Sequence, residues 1–306
     1  REVFTNRDIN PNDPSSFVTL YEYNSNGLLT KAIYPEGNSV ENTYDETNPN
    51  PLAWGNVLQT KQIADALRGG GINENNIAYT EIKTEYTYEP NFNQIASVKD
   101  ARDKITTFIY DPVNGNLLQT IYPTATLPDN TTQNIMTSRI YNSFGQVETT
   151  IDGEGVITRF EYYPAGDPQF GYLQYVKRDF GGPNQVQTET RYNGVGNVTE
   201  RSDGFGRFTV YTVNELNQVT QITSRTPFSY KTKYSFDYNN NLSSVDVENR
   251  DENLVLNSTN PWINTSYTYD ILNNTISVNK EIAEGVYATT GYEFDKNSNL
   301  TLATEP

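Results

Sequence analysis

The chain has 306 residues with neither Cys nor His, which excludes disulfide stapling, thiol or imidazole catalysis and structural zinc of the usual kind. Lys and Arg number 22 against 38 Asp and Glu, a formal charge of −16; with no basic stripe to neutralise phosphates, nucleic acid is not an expected partner. Hydrophobic residues reach only 35%, yet there are 23 Tyr against one Met and two Trp, and a ring with a polar tip suits a half-wet β surface better than a thick core.

The first element is a hairpin. Tyr23-Asn-Ser-Asn-Gly-Leu28 places an aromatic, an Asx residue, a short polar turn ending in Gly27, and then an aliphatic residue. The same signal returns at Tyr44, Tyr88, Tyr110, Tyr141 with Gly145, Tyr162, Tyr192 with Gly196, Val213, Phe236, Tyr269 and Phe294. Spacings are 21, 44, 22, 31, 21, 30, 21, 23, 33 and 25; 44 is two periods of 22, and values near 30 are one period with an inserted loop. A second turn lies about halfway along a period, at Pro35-Glu-Gly37, Asp100-Ala-Arg-Asp103, Asp152-Gly-Glu-Gly155 and Asp203-Gly-Phe-Gly206. Asp and Asn bond the local backbone in turns, and Gly accepts positive φ, which is expected at most of Gly27, Gly145, Gly196 and Gly206.

Two turns per period leave two strands, each of roughly seven or eight residues at ~3.3 Å per residue. Between turns the chain alternates as strands do. Ile82, Thr84, Tyr86 and Tyr88 share one face against Lys83, Glu85, Thr87 and Glu89, and Tyr230 to Asp237 repeats the pattern. Equivalent aromatics on neighbouring strands then form a packing ladder. Lys61 to Arg68, just before Gly69-Gly-Gly71, is the one segment that reads as helix. Insertions fall at about 60–80, 123–137, 163–171, 179–188 and 247–264, and in repeat proteins such loops map to one face. The whole of 1–306 reads as one repeat region with no internal domain boundary. Repeat signal still running at Phe294 to Leu300, and a start at Arg1, make it read as a piece of a longer chain. An open sheet edge would then be covered by further repeats.

A Tyr-Asp/Asn-x-x-Gly-x-Leu hairpin at about 21 residues, alternating with Pro-x-Gly or Asp-Gly-x-Gly turns from Tyr21 to Leu302, resembles the YD-repeat or RHS-repeat family. The resemblance implies an all-β array of antiparallel hairpins winding spirally into a hollow shell. Bacterial RHS toxins enclose a C-terminal toxin in such a shell, insecticidal toxin complexes form a cocoon, and teneurins use it in an adhesion ectodomain. It implies a structural segment of a secreted or surface bacterial protein, with further repeats of the same chain and an enclosed toxin or effector as partners. The alternative is a surface adhesin or glycan-binding array, with a cell-surface glycan or protein as partner. Toxin-bearing members close the repeats with an Asp-Pro-x-Gly-Leu motif. Asp167-Pro-Gln-Phe-Gly-Tyr-Leu173 and Asp111-Pro-Val-Asn-Gly-Asn-Leu117 have the wrong spacing and read as turn chemistry.

No catalytic residue, cofactor or metal is expected. A glycosidase pair would need two carboxylates in register, but most Asp residues already fall at turns. Asp246 to Asn253 lacks EF-hand spacing and reads as a solvated loop. Gly69-Gly-Gly-Ile-Asn73 lacks the Lys-Ser/Thr of a phosphate loop. Seven Asn-x-Ser/Thr sequons, at Asn130, Asn197, Asn241, Asn257, Asn264, Asn273 and Asn299, are about what chance gives in so Asn-rich a chain. No stretch has the length and apolarity of a membrane span, and no signal-peptide pattern is present.

Overall fold

The computed structural model describes residues 2–5, 16–64, 81–126 and 128–306. Packing divides the chain into two units, residues 1–155 and 156–306. In the first, strands follow one another along an antiparallel ladder: Glu2–Thr5, Ser16–Tyr23, Leu29–Ile33, Ser39–Tyr44, Val57–Ile63, Glu81–Tyr88, Ile95–Lys99, Ile105–Tyr110, Leu117–Ile121, Met136–Tyr141 and Val147–Ile151. The second unit repeats the plan with Ile157–Tyr162, Leu173–Arg178, Val186–Tyr192, Val198–Ser202, Phe208–Val213, Val219–Thr223, Lys231–Phe236, Leu242–Glu248, Trp262–Tyr269, Thr275–Ala283, Val286–Phe294 and Leu300–Thr304. Short turns force each strand back on its predecessor, so every pairing among the described residues is antiparallel. The fold is all-β, as the hairpin period requires.

Within each unit the sheet has little beneath it. Among the described residues only Ala32 and Ala53 are buried apolar side chains, and no large side chain is fully buried. Most strand positions are half-buried, which is where a Tyr-rich, Leu-poor composition is stable.

Three expectations need correction. Lys61, Gln62 and Ile63 are not helical. They end the strand Val57–Ile63, which is bonded on one side to Ser39–Tyr44 and on the other to Glu81–Tyr88, so ladder bonds on both edges outweigh the local helical propensity. Ala64 follows that strand and is not helical either, and residues 65–71 lie outside the described residues; among the described residues the only helix is the single 3-10 turn Pro51–Ala53. Strands are also unequal rather than uniformly seven or eight long. Those returning from an Asx turn are often five residues, as in Leu29–Ile33 and Val147–Ile151, because the turn and the bulge after it consume residues. Finally, the insertion at 123–137 is not wholly loop: Ala125–Thr126 and Thr132–Gln133 form a small hairpin of their own.

Candidate functional site

The aromatic of each period occupies one defined place. Tyr23, Tyr44, Tyr88, Tyr110, Tyr141, Tyr162, Tyr192, Val213, Phe236, Tyr269 and Phe294 each end the outgoing strand, and at each the pairing register shifts by one residue. They lie opposite the first residue of the return strand, as in Tyr110 with Leu117 and Tyr192 with Val198. A bulge of this kind sharpens the local twist and re-aims a side chain. The facing residue is one place off the simplest reading of the motif in two hairpins: Tyr23 faces Leu29, not Leu28, and Tyr269 faces Thr275, not Ile276.

Re-aimed, the Tyr hydroxyl reaches the preceding hairpin. Tyr44 donates to the Leu29 carbonyl at 2.8 Å, Tyr88 to Val57 at 3.0 Å and Tyr110 to Ile95 at 2.8 Å. Tyr141 donates to Leu117 at 2.9 Å, Tyr192 to Leu173 at 2.9 Å and Tyr269 to Leu242 at 2.8 Å. Each acceptor is the residue facing the previous anchor, so the ladder advances one hairpin per rung. Burial pushes the hydroxyls of Tyr88, Tyr110, Tyr162 and Tyr192 above their ordinary pKa, keeping them protonated. Phe236 and Phe294 fill the same place without the bond.

The Asx residue after the anchor caps the turn. The Asn24 side-chain oxygen accepts the N–H groups of Asn26 and Leu28, that of Asn193 accepts Val195 and Asn197, and that of Asp270 accepts Leu272 and Asn274. Asp100 and Asp203 do the same in the second turn of a period. The Asp203 carboxyl is partly desolvated, which opposes ionisation, but the Arg207 N–H, the Arg207 guanidinium and the Phe205 N–H outweigh this and hold it at about 2. These carboxylates serve the backbone, and among the described residues no three acidic groups gather where a metal ion would sit.

Closing most of the turns is a left-handed residue. Gly27, Gly145, Gly196 and Gly206 have φ of 78°, 77°, 89° and 75°, the conformation that completes a type I turn with a bulge. In later hairpins Asn217, Asn240, Asn273 and Ser298 take that place with φ from 60° to 66°. Those side chains make rungs of a second ladder along the turn edge. Asn197 Nδ2 donates to Asn217 Oδ1 at 2.7 Å, Gln218 Nε2 to Asn240 at 3.3 Å, Asn241 Nδ2 to Asn273 at 2.8 Å and Asn274 Nδ2 to Ser298 Oγ at 3.2 Å. The motif held a signal for this, the substitution of Asn for the turn Gly, but only adjacency gives it meaning. Charged pairs cross the strands elsewhere, including Lys31 with Glu41 and Arg191 with Glu200, each at 2.7 Å; exposed pairs of this kind contribute little stability.

No protein-family profile matches the chain, and no curated protein sequence does. Solved structures do match. TcdB2-TccC3-TEV and TcdB2-TccC3 without its hypervariable C-terminal region each align at a TM-score of 0.67 and 16% identity, over 95% of this chain and 15% of theirs. The chain thus spans about a seventh of the length of the proteins it matches, and it shares their fold: the stacked-hairpin fold of YD-repeat toxin-complex chains.

Proposed function

We propose that the chain is a structural wall segment of a larger secreted RHS or YD-repeat protein of the toxin-complex kind, whose shell encloses or presents an effector encoded outside these residues. The observation that carries the reading is the Tyr ladder: within each unit each rung fixes one hairpin to the next, so chemistry that elsewhere builds an active site here holds stacked hairpins together. The capped turns support it, because the Asp residues that a hydrolase would need in a cleft are spent on backbone N–H groups. The likeness to TcdB2-TccC3 supports it as well, on the level of fold. The aromatic residues at the bulges act as repeat anchors, and the adjacent partners are further hairpins of the same chain.

Limited proteolysis of the full-length protein tests this. Sequence carried inside a shell should resist protease in the intact chain and become sensitive when residues 1–306 are deleted. Equal sensitivity in both would overturn enclosure. Retention of the intact protein on cells, lost on the same deletion while the protease pattern stays unchanged, would favour the adhesin instead.

A further inference from the structure

Asn-Gly occurs three times in the chain, at Asn26-Gly27, Asn114-Gly115 and Asn193-Gly194. With no side chain on Gly to shield it, the peptide nitrogen can reach the amide carbon of the Asn before it, which makes this the most labile setting for a thermolabile residue. The fold treats the three differently. Gly27 and Gly115 close their turns at φ of 78° and 75°. Their N–H groups are engaged, with the Asn24 carbonyl at 3.1 Å and the Asp111 carbonyl at 2.9 Å. Asn114 Nδ2 is held as well, by Asp111 Oδ2 at 3.3 Å. Gly194 instead opens its turn, and its N–H donates to no protein group among the described residues.

The acyl group beside that nitrogen is already polarised. Asn193 Oδ1 accepts the Val195 N–H at 3.1 Å and the Asn197 N–H at 2.9 Å. The first bond closes a ring that contains both Asn193 Cγ and the Gly194 nitrogen, so the cap keeps the two within one turn. Two N–H donors at about 3 Å are also what stabilises an oxyanion forming on a carbonyl oxygen. The other Asn-capped repeat turns lack this combination. Nδ2 of Asn142 and of Asn214 is tied to Gln146 and Gln218, at 3.0 and 2.8 Å, and that of Asn24 to Glu46. Ser143, Glu215 and Ser25 follow them in place of Gly. Asn193 Nδ2 has no partner among the described residues. Gly194 is exposed, and beyond its chain neighbours no atom lies within 4 Å of where a Cβ would sit, so water and base have access.

We propose that Asn193-Gly194 is a site of spontaneous modification in the folded chain, where the side-chain amide is exchanged for a carboxylate. Hydroxide takes the Gly194 N–H proton, the nitrogen attacks Asn193 Cγ, and the carbonyl electron pair moves onto Oδ1. The pair returns and expels Nδ2, which leaves as ammonia with a proton from water, closing a succinimide ring. Water then opens the ring. Breaking the bond between the Gly194 nitrogen and Cγ leaves aspartate, and breaking the bond from that nitrogen to the main-chain carbonyl carbon leaves isoaspartate. In either branch the nitrogen regains its proton, and the sum is one water consumed and one ammonia released. The aspartate product fits the fold, because Asp237 and Asp270 cap the same turn position. Isoaspartate routes the backbone through the former side chain, adds a methylene and removes the cap. The site is independent of whether the sheet forms a shell.

Peptide mapping by mass spectrometry tests the site, on the 306-residue chain incubated in mildly alkaline buffer both folded and in urea, with enzymatic methylation reporting isoaspartate. In urea the three dipeptides should react at similar rates. In the folded chain Asn193 should stay within about threefold of its urea rate, because the cap keeps the reacting groups together. Asn26 and Asn114 should slow at least tenfold on folding. Aspartate and isoaspartate should both form at Asn193, since they share the succinimide. Gly194→Ala, which the open space accepts, should melt as the parent does and slow the folded-state reaction at least tenfold. The comparison within the parent chain stands whether or not that variant folds. Slowing of Asn193 on folding by as much as the other two, a folded-state rate at Asn26 or Asn114 equal to that at Asn193, or aspartate without isoaspartate overturns the proposal.

Discussion

The hydroxyl of Tyr269 donates to the carbonyl of Leu242 at 2.8 Å, across 27 residues of sequence. The bond joins two neighbouring outgoing strands' hairpins at the point where each bulges, and five further tyrosines repeat it. It turns a hairpin, marginal alone, into one unit of a ladder.

The hydroxyl should therefore have a measurable value separate from the ring. Tyr110→Phe should cost about 1 kcal/mol, the net value of one hydrogen bond, and Tyr110→Ala roughly 3 kcal/mol once ring packing is lost as well. Phe236, which fills the same place naturally, shows the fold accepts the first change. Urea midpoints of the two variants check this; equal losses would place all the value in the ring and none in the rung.

Glycine at the closing turn position should matter differently from hairpin to hairpin. At Gly145 no atom lies within 4 Å of where a Cβ would sit, whereas at Gly196 the Tyr172 hydroxyl is 2.5 Å away. Tyr172 cannot swing freely, since its ring packs 5.0 Å from that of Tyr192. Gly145→Asn should then cost at most about 1 kcal/mol, because Asn tolerates the left-handed region, as Asn217 does at the same place. Gly196→Asn should lower the melting temperature by several degrees more. Matching shifts in thermal melts would mean Tyr172 yields without cost.

These two cases mark where the sequence is legible. The period, the strand alternation and the place of the aromatic are local, so Tyr192-Asn-Gly-Val-Gly-Asn-Val198 announces its hairpin by itself. Positive φ at Gly27, Gly145, Gly196 and Gly206 follows from turn chemistry in the same way. What Asn217 or Asn273 does at the turn depends on Asn197 and Asn241, one period away, and no single copy of the motif carries that. Lys61 to Ile63 fails for the same reason: its strand state comes from two flanking strands, one of them following an insertion.

Asp-capped turns should loosen in acid where Asn-capped turns do not. The Asp203 pKa falls from 3.8 to about 2 on folding, and those of Asp237, Asp270 and Asp295 are also lowered. A depressed folded-state pKa stabilises above the unfolded value and is lost as pH falls through the folded one, so the window runs from about pH 4 down to about pH 2. Hydrogen exchange at the Arg207 N–H should accelerate across that window relative to the Gln218 N–H, which Asn214 caps at 3.0 Å. Asp203→Asn should flatten the difference. Parallel pH profiles at the two amides in the parent chain would contradict the assignment.

The seven sequons should differ in how readily they accept a glycan, because N-glycosylation uses one of the two N–H groups on Nδ2. At Asn241 both are engaged, one with Asp237 Oδ2 at 3.1 Å and one with Asn273 Oδ1 at 2.8 Å. Modification there breaks either a turn cap or a rung between hairpins. Asn197 also donates to its neighbour, Asn217, at 2.7 Å. Asn130 is exposed, sits at φ 63° in the turn before Thr132–Gln133, and has no partner for its amide among the described residues. Folding competes with transfer of the glycan, and a site whose amide is taken up by the fold loses that competition. Expressed in a host that glycosylates secreted chains, the protein should carry far higher occupancy at Asn130 than at Asn241 by glycopeptide mass spectrometry. Asn273→Gly, which keeps the turn but removes the acceptor, should raise occupancy at Asn241 and leave Asn130 unchanged. Equal occupancy at the two sites in the parent chain, or no response to that substitution, would show that the amide ladder forms too late or too weakly to protect Asn241.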